Sequence, residues 1–438
     1  MKQKKRRGIS LGTITMTVIT ILVLIGYAAL LPTLTGTDDI RINASELAVA
    51  IDESFSQLAA STETWAKPSS IRPTLPPVLT TQMPQTTQPP VTVPPKLSFS
   101  LCATGSIILN STVQKALTID DHLRFDILTD QLTNALQADL SIATLENTIV
   151  SSAVPSNVNM PSEVLGAIRS TGINALCIGH PNALNNGISG LKETQNAISN
   201  AGMLPYGLYS SDQERTAGVM ISLNGIRTAL LSYQNEISST GKKQTSATER
   251  TLCYSPVELS RIASDITAMK QKGAQVVVVS LCWGKTGASS PTDEQRTMAQ
   301  ALADVGADII LGTHPGALQP VQVLSGNRGD GKYHPVLCAY SLGNLMTHDR
   351  EKRANLASIL LRANVVYDPV TECVAFDDLT YTPTYAWRGK ENGRTQYRIL
   401  LNNNAPIPEF LDKDQQGVMG RCYNLVTEIM ADTSIPMK

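Results

Sequence analysis

The chain is poor in aromatic residues, in histidine and in charge. Aromatics make up 5% of its 438 residues, charged residues 17%, and there are five histidines. Lysine plus arginine number 36 against 37 aspartates and glutamates, a formal net charge of −1. Nucleic acid binding needs clustered cations, so that class of partner is excluded. So few imidazoles also restrict any histidine-rich metal centre. The seven cysteines, at 102, 177, 253, 282, 338, 373 and 422, form no C-x-x-C pair. This argues against a zinc ribbon and a disulfide scaffold. Most sit in apolar runs, where cysteine behaves as a small buried hydrophobe. No G-x-S-x-G elbow and no Walker loop occur. The glycine-rich "SGNRGDGK" at 325–332 lies between strand-like runs and reads as a hairpin loop.

What is present starts at the N-terminus. Residues 1–8 carry Lys2, Lys4, Lys5, Arg6 and Arg7, and the uncharged run "ISLGTITMTVITILVLIGYAALL" follows at 9–31. As a helix that run would be about 34 Å long, enough to cross a bilayer core. Cations on its N-terminal side place that end in the cytoplasm and the main domain outside. A cleaved signal peptide is the alternative, but no A-x-A-like site follows, so we expect a retained single-pass anchor. Residues 32–65 read as a juxtamembrane segment with a rough helical pattern. Residues 66–96 then hold nine of the 24 prolines, interleaved with threonine. That density favours extended polyproline II and predicts an extracellular stalk.

A folded domain is expected over 97–400, with 401–438 as a C-terminal extension. "KLSFSLCATG" reads as a strand entering a glycine turn. Helical runs closed by Gly172 and Gly202 alternate with apolar strands. Asn224-Gly225 suits a type I′ hairpin turn. Ser255, Pro256 and Glu258 spell a capped helix start, and Thr292 with Gln295 another. "AQVVVVSL" is apolar on both faces, as in a buried parallel strand. The alternation predicts an α/β fold whose active loops lie at the carboxyl ends of strands. Those ends are Gly105-Ser106, Gly179-His180, Cys282-Trp283 and Thr313-His314.

Five motifs occur in a recognisable order. "ATLEN" (143–147), "SLCWG" (280–284), "GADIILG" (306–312), "THPGALQP" (313–320) and "YSLGNL" (340–345) resemble segments of the CapA capsule-synthesis family. That family is associated with poly-gamma-glutamate and related to calcineurin-like metallophosphatases. The resemblance covers about residues 97–385. It implies a four-layer α/β/β/α sandwich, and a site where two divalent ions activate water and clamp a phosphoryl group.

The ligand set this resemblance implies is depleted. The family's G-D reads Gly105-Ser106 here. Its N-N-H-x-x-D-x-G corresponds to "HPNALNNG", which puts His180, Pro181, Asn182 and Asn185 at the polar positions. A two-residue slip would instead keep His180 as the histidine. The histidine of its H-W-G is Cys282, and its H-H-P-H keeps only His314 beside Thr313. Glu146 and Asn344 remain. The candidate cleft is therefore Ser106, Glu146, Asn147, His180, Asn182, Asn185, Cys282, Trp283, Thr313, His314 and Asn344. Glu146, His180 and His314 are the metal candidates. Each has a structural alternative: Glu146 could pair with Arg124 or Arg169, Cys282 could be core, and Asn344 could satisfy a loop. Trp283 suggests an apolar wall or an exposed platform. His122, His334 and His348 have no evident partners.

A dication needs several anionic or imidazole donors to leave water. The expectation is a membrane-anchored extracellular protein of capsule or exopolymer synthesis or attachment, with little or no metal-dependent hydrolase activity. No cofactor is expected. Its partners would be an envelope polymer or capsule-synthesis membrane proteins. Two alternatives stay open. One is an active phosphoesterase or amide hydrolase with an altered site holding one manganese, iron or zinc. The other is a non-catalytic assembly subunit.

Overall fold

The structure, a computed structural model, describes residues 94–151, 159–391, 393–403 and 406–438. The basic tail, anchor, juxtamembrane segment and nearly all of the stalk lie outside the described residues. Among the described residues, no helix is long and apolar enough to cross a membrane.

Two sheets form the centre. The first contains β1 (Leu97–Ile108), β2 (Leu140–Leu145), β3 (Ala175–Cys177) and β4 (Leu204–Tyr206). The second begins with β5 (Val219–Leu223) and β6 (Ile226–Gln234), then β7 (Val276–Cys282), β8 (Ile309–Thr313), β9 (Val321–Gly326) and β10 (His334–Ala339). The chain returns to the first sheet through β11 (Asn344–Thr347), β12 (Ala357–Asp368), β13 (Cys373–Glu391) and β14 (Arg394–Leu401). Strand order is β14-β13-β12-β1-β2-β3-β4 in the first sheet, with β11 also on β1, and β9-β10-β8-β7-β6-β5 in the second.

The strands read as the sequence suggests. Every residue of β7 is buried, as a strand covered on both faces requires. Asn224 (φ 48°) and Gly225 (φ 87°) make the β5–β6 turn with positive φ at both central positions. Alternate side chains of each strand enter different cores. Phe99, Leu101 and Ile142 of the first sheet meet Leu230, Val278 and Leu311 of the second in one apolar layer. The opposite face of the first sheet packs under α1 (Glu163–Ser170) and α2 (Gly187–Asn200). That of the second packs under α3 (Leu259–Gln271) and α4 (Asp293–Val305). The result is four layers, α/β/β/α.

Two features differ from expectation. Glu258, not Ser255, is the N-cap of α3, and no side chain caps it. Ser255 is buried, and its carbonyl accepts from the Gln234 amide. That bond ties the segment to the end of β6, so a tertiary contact overrides the local capping box. The C-terminal segment also supplies α5 (Lys413–Met430), whose Met419, Cys422, Val426 and Met430 join the core shared by the two sheets. The Lys438 amide donates to the Tyr381 carbonyl of β13 at 2.9 Å. By contrast, the α4 start has the expected reciprocal box between Thr292 and Gln295.

Candidate functional site

The site forms where β1 changes neighbours. β12 accompanies β1 from Leu97 to Thr104, then β11 takes over and sets Asn344 beside Ser106. The change requires close backbone approach. A Cβ on Gly105 would lie 2.2 Å from the Gly343 carbonyl oxygen, and one on Gly312 1.9 Å from that of Tyr340. Glycine is therefore fixed at both positions by contact, which accounts for the G-S and L-G-T segments. The Ser106 amide donates to the Gly343 carbonyl at 3.0 Å.

Above this crossover lies an open cleft of about 550 Å³. Glu146, just past β2, and Asn344 enter from the first sheet; His314, just past β8, and Thr286 enter from loops of the second. The loop after β11 closes one side with His348, Asp349, Arg350 and Glu351. The Glu146 carboxyl is pushed up, mainly by burial; a hydrogen bond with Ser106 and the charge of His314 oppose the shift. His314 has φ 92°, a left-handed conformation costly for a residue with a Cβ. Its Nε2 lies 3.4 Å from the Thr286 hydroxyl.

Cys282 sits beneath these groups, buried. In register across parallel strands, Gln234, Cys282 and Thr313 form one row on the same face of the second sheet. The row presents an amide, a thiol and a hydroxyl. Burial, and next the Glu146 charge, raise the Cys282 thiol well above its usual range, so it stays protonated.

The expected residues are thus partly assembled. Ser106, Glu146, Cys282, Thr313, His314 and Asn344 meet around the crossover. Five others do not face the cleft. The Asn147 amide is turned to the Leu109 backbone, accepting from its N–H at 2.9 Å and donating to its carbonyl at 2.8 Å. Asn185 accepts from the Ser238 hydroxyl and donates from Nδ2 to Asn182 Oδ1 at 3.5 Å, so both amides are used within one turn. Trp283 is 2% exposed, so it is no exposed platform. It stacks on Tyr340 at 6.3 Å and donates from Nε1 to the Tyr340 carbonyl. His180 is 1% exposed and does not line the cleft. Its Nδ1 has no partner among the described residues, and burial drives its pKa down to about 3. Arg124 pairs with Asp126 rather than with Glu146.

Thr286 and His348 belong to the site although no motif marks them. Gln234, 1% exposed with neither amide atom partnered among the described residues, completes the neutral row. His334, by contrast, is accounted for by Asp330 at 2.9 Å.

These donors do not suit a two-metal centre. Among the described residues, no group of three or more His, Cys, Asp or Glu side chains is placed to hold an ion. Glu146, His180 and His314 do not form one. Amides and hydroxyls cannot replace the missing charge.

Comparison with known proteins agrees with the arrangement of motifs. The family model described as bacterial capsule synthesis protein PGA_cap matches residues 100–349. The PGA biosynthesis protein CapA of Bacillus subtilis is 31% identical over 166 residues, 37% of this chain and 40% of the relative. The capsule biosynthesis protein CapA of Bacillus anthracis is 28% identical over 211 residues, 48% of this chain and 49% of the relative. The chain therefore matches less than half the length of either relative. Among solved structures, the NAD nucleotidase of Haemophilus influenzae overlaps with a TM-score of 0.41 at 9% identity, covering 76% of this chain and 60% of that one. A calcineurin-like phosphoesterase of Bacillus subtilis gives 0.35 at 12% identity, covering 76% and 99%. These overlaps are loose, and the layering described above rests on this chain's own strand pairing.

Proposed function

Because the chain belongs to the PGA_cap family of bacterial capsule synthesis proteins, we propose that it serves the synthesis or attachment of a capsule or exopolymer by binding, with little or no metal-dependent hydrolysis. In this reading the 9–31 segment anchors the protein in the membrane and the described domain stands outside the cell. The cleft then engages the envelope polymer or a membrane protein of the same assembly.

One observation carries the proposal. At the strand ends where this family's resemblance implies two ions, Glu146 and His314 stand among a serine, a thiol and amides, and no three His, Cys, Asp or Glu side chains among the described residues are placed to hold an ion. Two dications would lack the anionic ligands that offset their dehydration.

The test is metal content and activity together. Purified protein incubated with manganese, iron or zinc and then desalted should retain well under one ion per chain. It should also leave a chromogenic phosphodiester uncleaved. Stoichiometric metal that disappears in Glu146→Ala would refute this reading and favour the altered mononuclear hydrolase.

A further inference from the structure

Glu146 faces the cleft, and no described lysine or arginine pairs with it; Ser106 and His314 are its nearest influences. The cleft's lining holds three carboxyls, Glu146, Asp349 and Glu351, against one guanidinium, Arg350. Arg350 is already committed, donating to the Ala386 carbonyl of β13. Asp349 is committed too: its oxygens accept from the Glu351 amide at 2.8 Å and from Asn355 Nδ2 at 2.7 Å. Glu351 is exposed, and Glu146 is the carboxyl that stands at the crossover beside His314. Around it stand groups able to accept a hydrogen bond, namely the Thr286 hydroxyl, His314 Nε2 and the Asn344 amide oxygen.

We propose that this cleft, the binding site put forward above, receives a primary ammonium group of its ligand, with Glu146 as the counter-ion. One ammonium group matches the single carboxyl at the crossover, whereas two dications do not. An ammonium carries three donors and no acceptor, which suits a carboxylate flanked by a hydroxyl, an imidazole nitrogen and an amide oxygen. A carboxylate-bearing segment meets the opposite field and is disfavoured at this position. A polyanionic polymer would therefore enter the cleft by an amine-bearing end or not at all.

The experiment uses three small probes of similar length: 1,5-diaminopentane, 1,5-pentanediol and glutarate. Each is titrated into the full chain in mild detergent and followed by ligand-observed NMR. The diamine should bind at millimolar concentration, at least about tenfold more tightly than the other two, and weaken as salt is raised. Glu146→Gln should reduce diamine binding about tenfold or more. Thr286→Val, on an exposed loop, should reduce it by a smaller factor and guards against misfolding of the first variant. Glutarate binding as tightly as the diamine would overturn the proposal, as would no diamine binding at about 20 mM or unchanged binding in a folded Glu146→Gln. Because the probes contain no polymer, a failed capsule-polymer interaction would leave this result standing, and the reverse holds too.

Discussion

His180 offers a quantitative test of how this site is built. Its imidazole is buried, and its pKa falls from 6.5 to about 3 because the charged form is desolvated. The unfolded chain binds a proton here below about pH 6.5, while the folded chain does so only near pH 3. Between those values the unfolded state holds more protons, so stability falls as the solution is acidified. Each pH unit within the window costs about 1.4 kcal/mol, and moving from about pH 7.5 to about pH 4.5 costs about 2.7 kcal/mol. An unfolding entropy of about 2 cal/mol/K per residue gives roughly 0.7 kcal/mol/K for this folded part, so the melting temperature should drop by about 4 °C. Other groups titrate over the same range, so the observable is a difference between proteins. His180→Gln keeps a polar side chain without the titration. Its melting temperature should fall by about 4 °C less than that of the wild type over this interval, by calorimetry or intrinsic fluorescence. Parallel pH profiles would refute the reasoning and show that His180 is hydrated or partnered. In that case its imidazole would again qualify as a site group.

Glu146→Gln should melt higher than wild type near pH 7, because the raised carboxyl pKa makes ionisation cost folded-state stability as pH rises past its usual range. That gain should vanish near about pH 4, and a lower melting temperature at neutral pH would instead indicate that the carboxylate holds a cation. His314→Gly should stabilise the fold by about 1 kcal/mol by relieving φ 92°, while weakening diamine binding; chemical denaturation checks the first and NMR titration the second. Thr292→Ala should cost about 1 kcal/mol through the lost α4 cap, whereas Ser255→Ala should show no capping loss. Gly312→Ala should cost several kcal/mol or prevent folding, since its Cβ would overlap the Tyr340 carbonyl; yield of soluble protein and its melting temperature report this.

How much of this was legible in the sequence depends on whether the signal was local. The β5–β6 turn, the α4 box and the doubly buried β7 are written in neighbouring residues, and the structure follows them. Ser255 misled because the end of β6, distant in sequence, takes its carbonyl. Asn147 resembled a site amide because it follows Glu146, yet its side chain serves Leu109 instead. A one-residue step at a strand end is enough to send a side chain to the other face. Thr286 and His348 were invisible for the opposite reason. They lie on loops with no motif, and only the fold of both sheets brings them to Glu146.

The same geometry explains how a chain can keep a site while changing its chemistry. Gly105 and Gly312 are held by backbone contact, so the crossover that builds the cleft does not depend on which side chains line it. Ser106, Cys282 and Thr313 stand on that scaffold as neutral groups, and each is satisfied or protonated without a metal. Glu146 is the one carboxyl set at the crossover itself. A scaffold fixed by glycine contacts, with one carboxyl at the crossover, suits selection of an ammonium group better than activation of water. The decisive comparison is therefore between binding of an organic ammonium group and of a metal dication to the same protein. If manganese bound more tightly than the diamine and competed with it, the neutral row beneath Glu146 would have to rearrange into a ligand shell, and the argument from missing charge would fail.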